Sequence, residues 1–470
     1  MTVQLLALMF AVSVCPWGLS LLFRGRIEAV GMAVLIAGII FGPQFYSFSL
    51  GIGMSIDRLL LMLGCGLCGL RILQGEAKLP RPRKVDLLLA GFCIWIFVST
   101  LGASVPAGAE PARSRWMTFI LMPVVLYFLA RCSVIRSSDC KHLVTALIGL
   151  GVYLGLTGMC EVSGLHAVVF PRYIVDPNNW EFLGRARGPI LNPTGNGTVL
   201  TAAFAAALAR VVHSKQLEQV GYLAAAGIIG VGIVATLTRS VWLGGFLVVA
   251  TYGWIYFRRF LPAVGLLGAA AVIGLSAMAS QIDIMNIKRD KHLSAADAKK
   301  SVELRPVLAM VAWEMFKDRP LRGHGYGGYF ESSPTYLAKR TQEASFEMVR
   351  PYMQHNVILS LLVDSGLIAV GLFLSWTLLT CLTAYRLARL RSATDDQRII
   401  GLVVLGTMVP YYMNGMFHDV SVIPMLNAVL FFLSGLCTTV AAEKLPSVTP
   451  VLAVDPNAEP RTSPQLAAPL

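Results

Sequence analysis

NVILSLLVDSGLIAVGLFLSWTLLTCLTAY, residues 356–385, holds one charged side chain, Asp364, in thirty residues. A hydrocarbon core about 30 Å thick is crossed by roughly 20 apolar helical residues, so this stretch reads as a transmembrane helix. Further apolar runs lie near 3–23, 27–43, 54–73, 85–103, 116–132, 142–160, 196–213, 218–237, 240–257, 261–281, 399–417 and 421–442. The expected fold is therefore all-α, a polytopic membrane bundle of about 12–13 helices with one large extracytoplasmic helical loop. Composition agrees: the 470 residues are 56% hydrophobic and only 14% charged, with mean hydropathy +0.66. A soluble domain carries about 25% charged residues, which excludes an ordinary cytosolic enzyme.

The net charge of +13 is mostly a topology signal. Arg24, Arg26, Lys78, Arg81, Arg83, Lys84, Arg131, Arg136, Arg210, Lys215, Arg258, Arg386 and Arg398 all fall in alternate short connections. Lys and Arg in short loops mark the cytoplasmic side, so no nucleic-acid partner is expected. The opposite face receives the loop 161–195, the tight turn at Arg239, the 72-residue loop 283–354 and the turn Asn414–Ser421. The chain divides into N-terminal spans 1–160, a region 161–442 that includes the long loop, and a disordered cytoplasmic tail 443–470. The nine cysteines lie in or beside apolar segments and read as small core residues, the Cys65–Cys68 pair included.

Loop 283–354 holds 12 basic and 9 acidic residues, and a loop this long between spans is usually functional. Ser294 and Asp297 fit a capping box. A second helix is expected from Pro306 to Lys317, with Val307, Met310, Val311 and Trp313 as its apolar stripe and Asp318-Arg319-Pro320 as its stop. Ser333-Pro334 reads as a cap opening a helix that ends before Pro351. Gly323-His324-Gly325-Tyr326-Gly327-Gly328 satisfies GxGxxG, but no strand precedes it, so it reads as a tight glycine turn and not a dinucleotide site.

Three residues on this face have a joint chemical meaning. Arg239 stands in a very short connection. Arg305 precedes Pro306, which biases it away from helical geometry. His355 stands where the loop enters the membrane. Each has a structural reading alone: a snorkelling arginine, a solvated loop arginine, an interfacial histidine. Together they suit a diphosphate-bearing lipid, because arginine grips phosphate oxygens in pairs and histidine transfers protons near neutrality. Arg185 and Arg187 in Gly184-Arg185-Ala186-Arg187-Gly188 are further candidates for the same anion. No P-loop, HExxH, GxSxG or DxD is present.

These residues resemble the O-antigen ligase and polysaccharide polymerase family of bacterial inner-membrane glycosyltransferases. Arg187-Gly188…Asn192-Pro193 is similar to the family's loop ahead of a span. Leu237-Thr238-Arg239-Ser240 resembles its Ser-Arg-Gly signature, with Thr ahead of the arginine and Ser in place of the glycine. Arg305 with Trp313, followed by Pro320-Leu321-Arg322-Gly323-His324-Gly325, resembles its Pro-Leu-x-Gly-x-Gly pattern. His355-Asn356, nine residues and Gly366 resemble its HN-x9-G motif, with Ala369 a mild departure. The resemblance implies transfer of a glycan from undecaprenyl diphosphate to an acceptor, either a glycan or a lipid A core, at the periplasmic face of the inner membrane. Arg239, Arg305 and His355 would be catalytic, and Arg185, Arg187, Asn192 and Asn356 substrate-binding. No metal or other cofactor is implied, and other polysaccharide-assembly membrane proteins are candidate partners. Ligase, polymerase and protein-glycosylating activities stay open within the family. A transporter or flippase of lipid-linked sugars is the rival outside it, with Asp57, Arg58 and Asp364 as its intramembrane candidates.

Overall fold

The structure is a computed structural model that describes residues 26–42, 45, 47–49, 53–77, 79–105, 110–256, 295–338, 349–350 and 352–444. The expected spans 3–23 and 261–281, Cys15, Ser294 and the tail beyond Lys444 lie outside the described residues. The other eleven expected spans are helices. They are α1 (Ile27–Ile40), α2 (Ile56–Leu73), α3 (Lys84–Thr100), α4 (Ala112–Cys132), α5 (Ser137–Ser163), α6 (Pro193–His213), α7 (Gln216–Ala235), α8 (Arg239–Tyr256), α12 (Val357–Arg389), α13 (Asp395–Gly415) and α14 (Pro424–Lys444). Between α8 and α12 the long loop contributes α9 (Ala295–Asp318) and two single turns, α10 (Tyr329–Ser332) and α11 (Pro334–Leu337). The β-structure among the described residues is one antiparallel pair, Ser47–Ser49 with Gly53–Ser55. The protein is an all-α polytopic membrane bundle, and six helices are individually long and apolar enough to cross a bilayer.

One continuous apolar core runs from Ile27 to Ala441, so N-terminal and C-terminal helices interleave: α14 packs on α4, α13 on α6, and α12 on α3 and α13. The two ends of the bundle differ in chemistry. At one end the basic residues of the short connections meet acids at neighbouring helix starts. Arg131 at the end of α4 grips Asp86 through Nε at 2.8 Å and Nη2 at 3.0 Å, with both side chains buried and Tyr127 donating to the same carboxylate. Arg26 with Asp139 and Arg210 with Asp396 repeat this pairing. Removing one partner of such a pair leaves a buried charge uncompensated, which costs about 3–5 kcal/mol.

At the other end α12 is interrupted. Gly366 has φ +72° and ψ −172°, so Val357–Ser365 and Leu367–Arg389 are two helices joined by one non-helical residue. The glycine turn of the long loop fills the break. His324 N donates to Val363 O (2.8 Å), Gly325 N to Asp364 O (2.9 Å) and Leu367 N to Pro320 O (2.8 Å). Backbone groups released by the break are thus satisfied within the protein, the condition for irregular chain at membrane depth. The approach leaves no room for side chains: a Cβ at Gly323 would lie 2.5 Å from Asp364 C, and one at Gly366 would overlap the Leu321 carbonyl. Both residues also have positive φ, which penalises any L side chain.

The loop helices differ from expectation in three respects. α9 runs unbroken through Pro306, so Arg305 is inside a helix and not ahead of one. Its inner stripe is Leu304, Leu308, Val311 and Met315, packed on Val363, Tyr329 and Tyr336. Met310 and Trp313, expected in that stripe, are 41% and 51% exposed. Tertiary contact with α12 therefore outweighs the local bias of a proline. Ser333 is itself helical with no side-chain cap, and residues 339–348 of the expected third helix lie outside the described residues.

Gly366→Ala is expected to lower stability by about 3 kcal/mol or more, from positive-φ strain and overpacking. Gly371→Ala, on the same helix with nothing within 4 Å of its Cβ position, is expected to leave it unchanged or raise it slightly. Thermal unfolding of the purified protein in detergent checks the contrast.

Candidate functional site

The site is assembled by three stitched loops at the interrupted end. In the first, α7 and α8 are joined by Thr236-Leu237-Thr238, with Leu237 in the left-handed region at φ +49°. Loop 184–188 lies against this turn. Ala186 N donates to Ala235 O (3.0 Å), Arg185 Nε to Thr236 O (3.1 Å) and Arg185 Nη2 to Thr238 Oγ1 (2.6 Å). Arg185 is thereby held beside Arg239, the first residue of α8.

Arg187 has a different task. Its guanidinium is buried and donates to the carbonyls of Ile174, Asn179 and Glu181, while its backbone N–H and that of Gly188 donate to Glu161 (3.1 and 3.0 Å). Its donors organise loop 170–190. Asn192 is the N-cap of α6, its Oδ1 accepting from Thr194 N and Gly195 N at 2.9 Å. Such caps contribute about 1 kcal/mol.

In the second, Asn356 caps α12 by accepting from Ile358 N (2.9 Å) and Leu359 N (3.0 Å), and its Nδ2 donates to Met416 O (3.2 Å). This bond ties the start of α12 to the α13–α14 turn. His355, exposed at the bend before α12, consequently faces His418 with ring centroids 6.4 Å apart. His418 was not singled out in the sequence, although its turn was. The only signal was a histidine in a short connection on the site's face.

The third contribution is Arg305. Its Nε is buried with no hydrogen-bond partner among the described residues, and burial lowers its pKa. Burial, followed by the charges of Arg305 and Arg185 and the nearby His355, holds His418 down to about 3. Partial enclosure of the ring, then Arg305, lowers His355 as well. Arg185, Arg305, His355 and His418 thus share one electrostatic field, which adds to burial in favouring the neutral form of both imidazoles. An unprotonated histidine beside fixed cations can accept a proton while the arginines hold an anion. Among the described residues no group of three or more His, Cys, Asp and Glu side chains is arranged to hold a metal.

The fold defines a multi-pass membrane protein, with a cationic, histidine-bearing cluster at one end of its bundle. Residues 224–374, which span α8, α9, the glycine turn and the break in α12, match the family described as O-antigen ligase. This match covers about a third of the chain and supports the O-antigen ligase and polymerase family, whose activity is of the glycosyltransferase type. No curated protein matches the chain. Arg239, Arg305 and His355 fall inside the matched segment, whereas Arg185 and His418 fall outside it.

The lowered His418 pKa has a thermodynamic consequence. Between the ordinary value of 6.5 and about 3, the unfolded chain binds a proton that the folded chain does not. Stability contributed by neutral His418 is therefore present above that window and lost as pH falls through it. His418→Gln is expected to show a shallower loss of thermal stability than wild type between about pH 7 and pH 4. Parallel stability curves would contradict this placement of His418.

Proposed function

We propose that the protein transfers a glycan from undecaprenyl diphosphate to an acceptor hydroxyl at the periplasmic face of the bacterial inner membrane. The observation that carries the reading is the convergence of Arg185, Arg305, His355 and His418 in one field at the end of the bundle opposite the basic short connections. Arg239 and Arg305 hold the diphosphate, joined by Arg185. The acceptor oxygen attacks the anomeric carbon, the bond from that carbon to the phosphate oxygen breaks, and the electron pair leaves on the diphosphate. His355 takes the acceptor proton. A diphosphate leaving group needs fixed positive charge where its own charge develops, and paired guanidinium donors supply it. The reaction as written calls on no metal. Arg187, Asn192 and Asn356 act as positioning residues through the carbonyls and helix starts they organise. The acceptor is a second glycan or a lipid A core, in polymerase and ligase respectively.

Arg→Lys at 239 or 305 retains charge but loses the paired fork, and is expected to slow transfer roughly 100- to 1,000-fold. His355→Ala is expected to abolish transfer while retaining donor binding, since the base acts on the acceptor. Arg322, exposed on the loop, tolerates Ala. Transfer and donor binding are measured for each variant at matched membrane abundance, with undecaprenyl-diphosphate-linked glycan and a chelator present. Full activity of Arg305→Lys or His355→Ala would remove that residue from the mechanism. Translocation of the lipid-linked glycan in sealed vesicles without glycosidic bond formation would favour a transporter.

In intact cells with a permeabilised outer barrier, a cysteine placed at Thr335, exposed in the long loop, is expected to react with a membrane-impermeant thiol reagent. Labelling only after inner-membrane rupture would reverse the topology.

A further inference from the structure

Behind His355 a second polar region has the opposite hydrogen-bonding character from the arginine face. Gln354 is 1% exposed; its Nε2 reaches Ser360 Oγ at 3.4 Å, and its Oε1 is buried with no partner. Ser360 faces Asp419, whose Oδ1 accepts from Ser421 N and Oγ while its Oδ2 is buried and unpartnered. One helical turn beyond Ser360 stands Asp364, 7% exposed. Its Oδ2 accepts from Gly327 N (3.0 Å), and its Oδ1 has no partner. The Tyr329 hydroxyl, within the field of Asp364, is likewise buried and unpartnered.

Buried polar atoms are nearly always hydrogen-bonded, and leaving one unsatisfied costs about 1–3 kcal/mol. A group of such atoms is where hydrogen-bond donors of a bound molecule would be satisfied. Three of the four open positions, Gln354 Oε1, Asp364 Oδ1 and Asp419 Oδ2, are amide or carboxyl oxygens. In the carboxylate form both acids accept only, so the group repels a phosphate and calls for O–H or N–H donors. One cation borders them. Arg115, from the first turn of α4, lies with its guanidinium carbon 6.0 Å from the ring centres of Tyr326 and Phe119, packs against Gly327, and acts on both Asp364 and Asp419. It offsets part of the paired carboxylate charge without a hydrogen bond to either carboxylate among the described residues.

We propose that Gln354, Asp364 and Arg115, with Asp419 and Tyr329 as further walls, form a hydroxyl-recognising subsite for the acceptor saccharide. This rests on the glycan-transfer reading above and adds the residues of its acceptor side. Donor and acceptor are then sorted by hydrogen-bond polarity: guanidinium donors receive the diphosphate on one side of His355, and oxygen acceptors receive sugar hydroxyls on the other. The N-terminal helices contribute to recognition through Arg115, although they lie outside the matched family segment.

Two near-isosteric variants test the subsite. Asp364→Asn keeps an oxygen for Gly327 N–H but turns the open acceptor into a donor, and Gln354→Met removes the open oxygen at similar volume. With the full chain in nanodiscs, each is expected to raise acceptor KM about 10-fold or more, as loss of a hydrogen bond to a buried polar group implies, with donor KM unchanged. Unaltered acceptor KM, or donor and acceptor KM rising together, would overturn the subsite. If Asp364→Asn does not fold, Gln354→Met at unchanged melting temperature decides alone. If wild type performs no transfer, the glycan-transfer reading fails, and saccharide binding still decides the subsite. Blocked hexose and N-acetylhexosamine oligosaccharides, followed by tryptophan fluorescence, would bind wild type and bind the variants about 10-fold more weakly. Equal binding by all three proteins, or binding by none, would overturn it.

Discussion

The site depends on one backbone-to-backbone contact, the glycine turn at 320–325 hydrogen-bonded into the break of α12 at 363–367. A transmembrane helix interrupted at this depth exposes N–H and C=O groups that lipid cannot satisfy. The turn satisfies them, and in doing so anchors the long loop to the membrane domain at a defined height. Everything placed by that loop inherits this anchor. α9 follows because Leu304, Leu308, Val311 and Met315 pack on Val363 just above the break. Arg305, one residue past Leu304, is thereby placed where its charge acts on His355 and His418. Glycine is required at 323 and 366 by contact as well as by φ.

The same contact explains why charge can gather here at all. In a bundle that avoids ionisable groups, the end with the basic short connections neutralises its arginines in ion pairs such as Arg131–Asp86. At the interrupted end Arg305 keeps a buried Nε without a hydrogen-bond partner, and two histidines stand in its field. Neighbouring distortions serve this end too. The π-helical segment Met117–Leu121 begins two residues after Arg115, and Asn427 Nδ2 donates to the Phe119 carbonyl within it (2.8 Å). π-Bulges of this kind recur at functional sites.

Much of this was legible in the sequence, and the limits have physical causes. The spans follow from apolar run length alone, because a bilayer imposes it. The GxGxxG stretch was readable as a turn, since Gly323, Gly325 and Gly327 all adopt positive φ. Arg239 and His355 stood out as polar residues at the edges of apolar spans, and Arg305 as the arginine directly before Pro306. Arg305 was misplaced at a helix start because Pro306 biases its neighbour locally, whereas the core against Val363 carries α9 through it. Met310 and Trp313 were assigned to the wrong stripe because 3.6-residue spacing leaves the phase of a short amphipathic helix open until its partner is known. Arg187 looked like an anion ligand by type, yet its donors go to three carbonyls of its own loop. His418 and Arg115 join the site through contacts with residues far along the chain, which no local pattern encodes.

The most direct test of this dependence is amide hydrogen exchange at His324, Gly325 and Leu367 in the purified protein, followed with donor affinity. If the docked turn organises the site, these three amides exchange as slowly as mid-helix amides of α14. Gly366→Ala then loses their protection and donor binding together. Exchange at the rate of an open loop in wild type, or loss of protection with donor affinity intact, would contradict the account.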